Sequence, residues 1–573
     1  MIKASITTTL LSFFLLIIYP LCYHNEIFLQ GSAINCLLLM VFIVSFTFTS
    51  FCKRSFRFTW LDTLFLLFVI WNFCSLWCHE TFHEEIPIRY LNYIFCYLCF
   101  RNASSGKGLL ILLFIGGLVQ IIFALLQKMD LMYSFHYAFP ITGTFSNPAI
   151  LSIFLSISLL AGVGLYPYIQ HKKMKLFWWI AIILIFWGIV TTHSRATWLA
   201  LVLGLSFLFF EKYNSILKHY KIKAIYGWCM IGTLSVLVLI TLYFIHPESI
   251  HGRFLIWQII GNAIIENPSG HGLLQSHYMT MQADWLKNHT DSVYSLYAGN
   301  NIHAFNEILR ITFEMGVIGL LLFGILLFTT IKHAVRNREN GNIYIALVLA
   351  LFVFGMFSYP LSIDVLTFIG IGIIALISSE DNSAKKVLIN NGKLLKLSSV
   401  VMSMGLVVFS LSKFRLYKET DNMLKKAQVD VSLLKSESFQ MNMHQLGNSP
   451  DFMLCYGKTL FNHADYTSAL PVLEKASDLS PSSELMCDLG ICYQNEKRYE
   501  DAIKAFTTAS YMTPTHITPH YYLFILYKEI YHKEKAIEKA QYLLSMPVKV
   551  VNSSVLRFRH QARIFLENNQ LHK

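Results

Sequence analysis

The chain is poor in charged residues and in long soluble stretches. Asp, Glu, Lys and Arg make up 14% of its 573 residues, whereas hydrophobic types make up 55% and aromatic types 15%. With a mean hydropathy of +0.49, this composition excludes a soluble globular protein and predicts an integral membrane protein. The formal net charge of +12 comes from short Lys and Arg clusters between apolar segments. Because these clusters form no basic stripe, they are expected to set membrane topology rather than to bind nucleic acid.

The sequence also lacks clear signs of two kinds of chemical site, a cysteine site for metal or redox chemistry and a DxD-type metal site. The chain has 11 cysteines, and even the CxxC pair Cys96 and Cys99 lies within the apolar run IFCYLCF. Cysteines in such a run are more often small buried hydrophobes than metal ligands or redox pairs. No DxD-type metal motif can be placed on the outer face. We therefore expect no metal and no cofactor, and the cysteines indicate no compartment.

Apolar runs dominate the first 412 residues. About thirteen of them reach or approach the roughly twenty residues that cross a bilayer. They cover residues 6–22, 31–52, 58–77, 87–100, 108–127, 148–168, 174–192, 196–211, 224–245, 307–331, 343–359, 361–378 and 397–412. The sequence predicts an all-α, polytopic membrane helix bundle of about 12–13 spans.

Basic residues recur in every second loop between these runs. They are Lys53, Arg54 and Arg57; Arg101 and Lys107; Lys172, Lys173 and Lys175; Lys212, Lys218, Lys221 and Lys223; Lys332, Arg336 and Arg338; and Lys385, Lys386, Lys393 and Lys396. Because Lys and Arg near span ends are retained in the cytoplasm, the N-terminus is predicted inside and the long loop 246–303 outside. An odd number of spans would place the C-terminal tail outside as well.

The polar stretch 245–307 is the one long interruption of the apolar pattern. It contains HGRFLIW at 251–257, NPSGHG at 267–272 and the start of NIHAFNEILR at 301–310. A loop of this length is more than a connector, and long loops often carry binding and catalysis. We therefore expect it to form the floor or lid of an active site.

The tail after residue 412 differs in composition and contains an internal repeat. Pairs of residues recur 33 positions apart: Gly457 and Gly490, Tyr466 and Tyr499, Ala469 and Ala502, Ala476 and Ala509, and Pro481 and Pro514. This period is typical of helix-turn-helix solenoids and resembles the tetratricopeptide repeat, with a weaker third copy at 519–547. The repeat predicts either a concave surface for a peptide or protein partner or a structural cap.

The predicted domain organisation has four parts. The multi-span membrane domain covers 1–412, a linker or helical connector 413–450, the repeats 451–550, and a C-terminal helical tail 551–573. The repeats are expected to form a soluble α-solenoid.

Two arginines on the predicted outer face are candidates for binding an anion. Arg195 lies in the short turn HSRAT (193–197), and Arg253 lies in the long loop, where topology disfavours positive charge. A guanidinium is permanently charged and can bind two phosphate oxygens at once. The alternative is that these side chains extend to lipid headgroups.

His303 and Glu307 are the candidate catalytic pair. Their spacing puts them one helical turn apart, where a carboxylate could orient an imidazole and strengthen it as a base. The alternative is a polar anchor at the membrane interface. Gly316 and Gly319 follow, which suggests close helix packing beneath the site.

Several motifs in this order resemble the O-antigen ligase-like family, which includes O-antigen ligases, polysaccharide polymerases and protein O-oligosaccharyltransferases. They are GTFSNP (143–148), SRAT (194–197), GRFLIWQ (252–258), NPSGHGL (267–273) and HAFNEILRITFEMGVIGLL (303–321). The resemblance implies a GT-C-like, metal-independent, inverting glycosyltransferase. It would use a polyprenyl-diphosphate-linked glycan at the periplasmic face of a bacterial inner membrane.

The resemblance also implies roles for particular residues. Arg195 and Arg253 would bind the diphosphate, His303 would act as base or orient the acceptor, and Asn147 is a possible substrate-binding residue. The acceptor would be a lipid A-core, a growing polysaccharide or a protein.

Two other classes stay open. A transporter of lipid-linked glycans would show charges in mid-membrane and paired halves. Charges within the spans are scarce here, and Asp364, near the start of a span, is the main exception. A membrane scaffold that works through its solenoid would leave Arg195, Arg253 and His303 dispensable.

Overall fold

Helices account for nearly all regular structure in the part of the chain that the structure describes. The computed structural model describes residues 9–22, 29–51, 55–102, 106–136, 138–219, 232–233, 248–289, 292–336, 340–380, 385–388 and 392–570. Within these ranges, seven helices are long and apolar enough to cross a membrane, and three more are shorter apolar helices. The chain is thus an all-α polytopic membrane protein, as the sequence predicted.

The helices of the membrane region follow the predicted apolar runs. They are α1 (Thr9–Leu21), α2 (Gln30–Phe51), α3 (Trp60–Cys78), α4 (Ile86–Arg101), α5 (Lys107–Lys128), α6 (Pro148–Leu165), α7 (Lys172–Thr191), α8 (Arg195–Leu208), the amphipathic α9 (Phe210–His219), α12 (Glu307–Arg336), α13 (Gly341–Gly355), α14 (Asp364–Glu380) and α15 (Gly392–Ala427). The predicted run 224–245 lies almost entirely outside the described residues, so the total of about thirteen spans stays a prediction.

Helix α6 lies at the centre of the bundle. Sixteen of its residues are buried, because it is apolar on every face and such a helix is stable only when surrounded. It packs against α5, α7, α8 and α13. The residue that caps α6, Asn147, is therefore held by the most enclosed helix of the bundle.

A short β-ladder joins two of the basic loops. Strand β1 (Ser55–Phe58) pairs antiparallel with β2 (Lys385–Leu388), with Arg57 opposite Lys386. No pattern in the sequence predicted this ladder. The charge pattern predicted both loops on the same side of the membrane, and their pairing agrees with that prediction.

A buried ion pair lies near the ladder. The guanidinium of Arg101 donates from Nε to the Asp62 carboxylate at 2.8 Å, and Ser378 donates to the same carboxylate at 2.8 Å. The pair ties α3, α4 and α14 together, so Arg101 has a structural partner here.

The long loop folds into its own small helical layer. Helices α10 (Glu248–Glu266) and α11 (Leu274–Asn288) precede a single turn at Val293–Leu296. Buried side chains of the two helices, such as Ile260 and Tyr278, form a core that includes Phe313 of α12. This core fixes the loop on the end of the bundle.

The tail contains three helix hairpins and a last helix. Helix α15 passes the predicted boundary at 412 and continues to Ala427, because the sequence after 412 has no Pro or Gly to end it. The helices that follow are α16 (Glu437–Leu446), α17 (Pro450–Asn462), α18 (Tyr466–Leu479), α19 (Ser483–Asn495), α20 (Tyr499–Met512), α21 (Ile517–Glu529), α22 (Lys533–Ser545) and α23 (Ser553–Gln570). The division into repeat units stays a prediction.

The repeating glycines of the tail lie where paired helices approach most closely. A Cβ atom at Gly457 would lie 2.4 Å from Leu473, and one at Gly490 would lie 2.4 Å from Phe506. Each glycine is on the first helix of a hairpin and each large side chain on the second. The period of 33 residues thus reflects the packing of successive hairpins.

The tail packs directly against the long loop. Ser276 Oγ donates to Leu479 O at 2.8 Å, Gln282 Nε2 donates to Met512 O at 2.6 Å, and Lys549 Nζ donates to Ala298 O at 3.2 Å. Leu479 and Met512 end the second helices of the first two hairpins. The tail and the long loop therefore lie on the same side of the helix bundle.

Candidate active site

The floor of the site is built around a break in α12. Gly316 has φ 68° and ψ −175°, a combination that is essentially limited to glycine. A Cβ atom there would lie 2.4 Å from the carbonyl oxygen of Ser269. The glycine thus allows the NPSGHG segment to pack directly against the backbone of α12. From the sequence we expected this glycine at a contact between helices, whereas the structure shows a contact between a helix and a loop.

The break frees backbone groups of α12, and neighbouring segments bind them. The N–H of His271 donates to Phe313 O at 2.7 Å, and the N–H of Val317 donates to Pro268 O at 3.0 Å. Ser75 Oγ of α3 donates to Glu314 O at 2.7 Å. Since unpaired backbone groups away from water are costly, these bonds lock the long loop to α12 and α12 to α3.

Asn147 of GTFSNP is positioned from two directions. Its Oδ1 accepts a hydrogen bond from Ala149 N at 2.8 Å and so caps α6. Upstream, Gln127 Oε1 accepts from Gly143 N at 2.8 Å, and Gln120 Oε1 accepts from Thr144 N at 3.0 Å. These two glutamines of α5 fix the GTFS backbone, which explains why polar residues occur in that span.

His303 belongs to an aromatic cluster. Its imidazole stacks on the Tyr359 ring with centroids 3.8 Å apart and an interplanar angle of 7°. Phe305 packs edge-on against the same tyrosine at 5.3 Å, and Asn147 Nδ2 donates to the Tyr359 hydroxyl at 2.9 Å. Phe305 has a φ of 49°, a strained value for a bulky residue. The structure therefore brings Asn147 and His303 together through Tyr359.

Arg253 lies on the other side of Phe305. Its guanidinium carbon is 5.4 Å from the centre of the Phe305 ring, a distance typical of a cation–π contact. Burial, together with the charge of Arg195, lowers the pKa of Arg253 to about 10. Among the described residues, no carboxylate forms a salt bridge with Arg253.

Arg195 is the first residue of α8, immediately after the tight turn that the sequence predicted. Helix α7 ends at Thr191, and His193 between the helices has a φ of 51°. Arg195 acts electrostatically on Arg253, so the two candidate arginines belong to one electrostatic environment. The N-terminus of α8 adds partial positive charge there.

Glu307 does not orient His303. Its Oε2 accepts from Arg310 Nε at 2.7 Å, and its Oε1 accepts from Leu361 N at 2.7 Å. The expected carboxylate–imidazole pair is therefore absent between these two described residues, because both oxygens of Glu307 are already bound. Arg310 also lies 3.9 Å from Glu314.

The imidazole of His303 is neutral in this environment. Burial, together with the positive charge of Arg310, lowers the pKa of His303 to about 4. A neutral imidazole keeps one nitrogen able to accept a proton. The ring is partly exposed and lines a cavity of about 360 Å³.

Tyr359 and Arg310 are site residues that sequence reasoning missed. Tyr359 follows α13 and carries no motif, so only its position in space reveals it. Arg310 could have been found, since it follows Glu307 by three residues and precedes Glu314 by four. Among the described residues, no group of three or more His, Cys, Asp or Glu side chains is arranged to hold a metal ion.

The comparisons with known proteins match the central part of the chain. The sequence model of the O-antigen ligase family matches residues 180–324, a range that contains Arg195, Arg253, His303 and Glu307. The match ends before Tyr359 and begins after Asn147.

Relatives occur among rickettsial proteins that are provisionally named polysaccharide ligases. The Rickettsia conorii protein is 36% identical over 122 residues, which are 20% of this chain and 27% of that protein. The Rickettsia felis protein is 30% identical over 117 residues, 20% of this chain and 28% of that protein. The Rickettsia bellii protein is 32% identical over 123 residues, which are 20% of this chain and 28% of that protein. The chain thus spans about a quarter of the length of these relatives, and its residues 180–324 are similar to the O-antigen ligase family.

Proposed function

We propose that this protein is a membrane glycosyltransferase of the ligase type. It transfers a glycan from a polyprenyl-diphosphate donor to an acceptor hydroxyl at the periplasmic face of the bacterial inner membrane. The observation that carries the proposal is that Phe305 contacts both the guanidinium of Arg253 and the ring of His303. The charge of Arg195 acts on the same arginine. The resemblance to polysaccharide ligases supports the same reaction class.

The two arginines are the proposed binding site for the diphosphate. Burial and the charge of Arg195 both disfavour the charged form of Arg253, so a bound anion would relieve an unfavourable arrangement. Guanidinium groups bind phosphate oxygens in pairs and stabilise the negative charge that develops as the leaving group departs. In this proposal they take the role that a metal ion has in other glycosyltransferases.

His303 is the proposed general base. The acceptor oxygen attacks the anomeric carbon, the bond from that carbon to the diphosphate oxygen breaks, and the acceptor proton moves to the imidazole. The negative diphosphate beside the imidazole would raise the His303 pKa from about 4 towards the working pH, which would make it a better proton acceptor. Attack from the face opposite the diphosphate inverts the anomeric configuration.

Asn147 and Glu307 are given supporting roles. Asn147 anchors Tyr359 through a hydrogen bond to the tyrosine hydroxyl. Glu307 holds Arg310 and so shapes the electrostatic surroundings of His303. Both roles are indirect, which distinguishes them from those of His303 and the two arginines.

Transfer by the purified full chain in liposomes tests the proposal. With a polyprenyl-diphosphate-linked oligosaccharide and a panel of glycolipid, polysaccharide and peptide acceptors, we expect a glycosylated product, free polyprenyl diphosphate and an inverted linkage. A product with retained configuration would contradict the mechanism. Full activity of the Arg195→Ala, Arg253→Ala and His303→Ala variants in cells would instead support a scaffold or a transporter.

A further inference from the structure

The last helix of the tail, α23, has two different faces. Val555, Phe558 and Ala562 are buried, and the Phe558 ring stacks on Tyr521 of α21 with centroids 3.8 Å apart. This face packs α23 onto the third hairpin and completes the core of that part of the tail. The residues of the opposite face are exposed.

The exposed face is unusually apolar for the end of a stack of helix hairpins. Leu556 is 60% exposed and Ile564 is 43% exposed, and they lie about two helical turns apart on this face. In the segment just before the helix, Val550 is 71% exposed and Val551 is 59% exposed. We call these four side chains the end patch. Terminal helices of such stacks ordinarily present a polar outer face to water, so an exposed apolar patch here indicates an interaction surface.

Basic side chains lie beside the end patch. Arg557 and Arg563 are exposed on α23, and neither forms a salt bridge with another described residue. Arg559 differs from them, because its guanidinium donates to Met546 O at 2.8 Å and so holds α23 in place. The one carboxylate of the helix, Glu567, lies near its far end. The patch therefore combines apolar side chains with positive charge that no carboxylate neutralises.

The end patch lies close to the membrane bundle. Lys549, the residue before Val550, donates to Ala298 O of the long loop at 3.2 Å. Ala298 follows Tyr297, whose ring stacks on His251 of α10 with centroids 5.0 Å apart. This contact is two residues from Arg253, which feels the charge at the start of the apolar helix α8. A short series of contacts thus connects the end patch to the end of a membrane helix.

The long loop also exposes apolar side chains next to this contact. Val293 is 68% exposed and Leu296 is 41% exposed, and the turn that carries them ends two residues before Ala298. Exposed apolar side chains therefore occur on both sides of the bond between Lys549 and Ala298. A surface that continues from the tail to the loop on the membrane bundle is suited to contact with the bilayer.

We propose that the end patch binds the surface of the bilayer, in the leaflet that faces the tail. Its apolar side chains insert between the headgroups, and Arg557 and Arg563 bind the phosphates of anionic phospholipids. Segments that lie in a membrane interface combine apolar side chains with Lys or Arg in this way, and anionic headgroups attract clustered basic residues. The inference is independent of the transfer reaction.

Fluorescence quenching of the full chain in nanodiscs tests the proposal. A fluorescent amino acid replaces either Leu556 or Tyr531. The nanodiscs contain phosphatidylcholine, with or without phosphatidylglycerol, and a phospholipid that carries a nitroxide quencher on its headgroup. Tyr531 is the matched control position, because it is 93% exposed and lies at the other end of α22, a helix of 13 residues and therefore about 20 Å long.

The label at position 556 should be quenched by the lipid. With phosphatidylglycerol present, we expect quenching there to exceed that at position 531 by at least about threefold, and to weaken at high salt, which screens surface charge. It should also weaken in phosphatidylcholine alone. Arg557→Glu combined with Arg563→Glu should lower the quenching to the level at position 531. Lys528→Glu combined with Lys533→Glu reverses two exposed charges near Tyr531 and should leave the quenching at position 556 unchanged.

Equal quenching at the two positions in the anionic nanodiscs would overturn the proposal. A label at position 556 that is shielded from iodide in the water but is not quenched by the lipid would also overturn it, since a protein or a second copy of this chain would then cover the patch. Size-exclusion profiles and melting temperatures report the folding of the charge variants. If those variants do not fold, the comparison of the two label positions still decides.

The quenching does not depend on turnover, which keeps its outcome separate from that of the transfer assay. Strong quenching at position 556 in a chain without transferase activity would refute the proposed function and keep the lipid contact. Weak quenching in an active chain would do the reverse.

Discussion

The imidazole of His303 lies face to face with the phenol ring of Tyr359, with ring centroids 3.8 Å apart. Tyr359 follows α13, His303 precedes α12, and the tyrosine hydroxyl accepts a hydrogen bond from Asn147 at the start of α6. One aromatic side chain therefore joins three parts of the membrane domain at the candidate base. We infer that Tyr359 is a positioning residue for His303.

Two substitutions of Tyr359 separate the ring from the hydroxyl. Tyr359→Phe keeps the stacked ring and should retain transfer within a few-fold of wild type. Tyr359→Ala exposes His303 to water, so the His303 pKa should rise from about 4 towards its ordinary value. Because the base works only when deprotonated, activity should then be lost on the acidic side at a higher pH. The measurement is kcat/KM between pH 4 and 8.

A purely structural role for Tyr359 gives a different result. Tyr359→Ala would then lower activity equally at every pH, with an unchanged position of the acidic limb. That outcome would contradict a positioning role for Tyr359.

Arg253 should require a guanidinium rather than any positive charge. Arg253→Lys removes the fork that binds two phosphate oxygens, so the KM for the donor should rise and kcat should fall. Arg253→Gln should lower kcat/KM by about 10²–10³-fold, as for loss of one group that stabilises a developing charge. Steady-state kinetics with varied donor concentration measure both.

Arg415 is a suitable control for Arg253. It is an exposed arginine on α15, and Arg415→Gln should leave the donor KM unchanged. Equal effects at Arg253 and Arg415 would point to a general loss of charge near the membrane instead of a specific site.

Gly316 should be nearly irreplaceable. Gly316→Ala forces a Cβ atom into a glycine-only conformation and to within 2.4 Å of Ser269 O. Strain of this kind costs about 1–3 kcal/mol before the clash is counted. Gly324→Ala is the matched change on the same helix, with open space at its Cβ position. Thermal unfolding in detergent should show a lower Tm for the first variant only, and equal Tm values would contradict the helix–loop contact.

Gln282 should hold the tail on the long loop. Its amide donates to Met512 O at 2.6 Å and to Gly299 O at 3.0 Å. Gln282→Leu removes this donor from the buried Met512 carbonyl, at about 1–3 kcal/mol, and from the partly buried Gly299 carbonyl. Hydrogen exchange in α11 and α20 should increase, while exchange in α6 should not. Unchanged exchange in α20 would mean that other contacts carry the docking.

The sequence was sufficient for the architecture and for the identity of the charged candidates. Apolar runs located the helices, since a bilayer demands about twenty apolar residues per span. Arg195, Arg253 and His303 were recognisable because charge at the ends of apolar helices is unusual.

The details of the site depended on contacts that no local pattern encodes. The spacing of His303 and Glu307 suggested a pair, but the spacing of Glu307 and Arg310 suggests one equally well, and the guanidinium is the stronger partner for a carboxylate. Tyr359 is 56 residues from His303 and carries no charge, so only the fold reveals its role. The break at Gly316 could be recognised only when the docked NPSGHG segment was seen.

The central claim is that His303 is the base of a transfer reaction whose donor is bound by the arginines. The most direct test is single-turnover transfer with saturating polyprenyl-diphosphate glycan, measured alongside donor binding, for the wild type and His303→Ala. We expect the rate of transfer to fall by about 10²–10⁴-fold while donor affinity stays within about twofold. A His303→Ala enzyme that transfers within a few-fold of the wild-type rate would contradict the account.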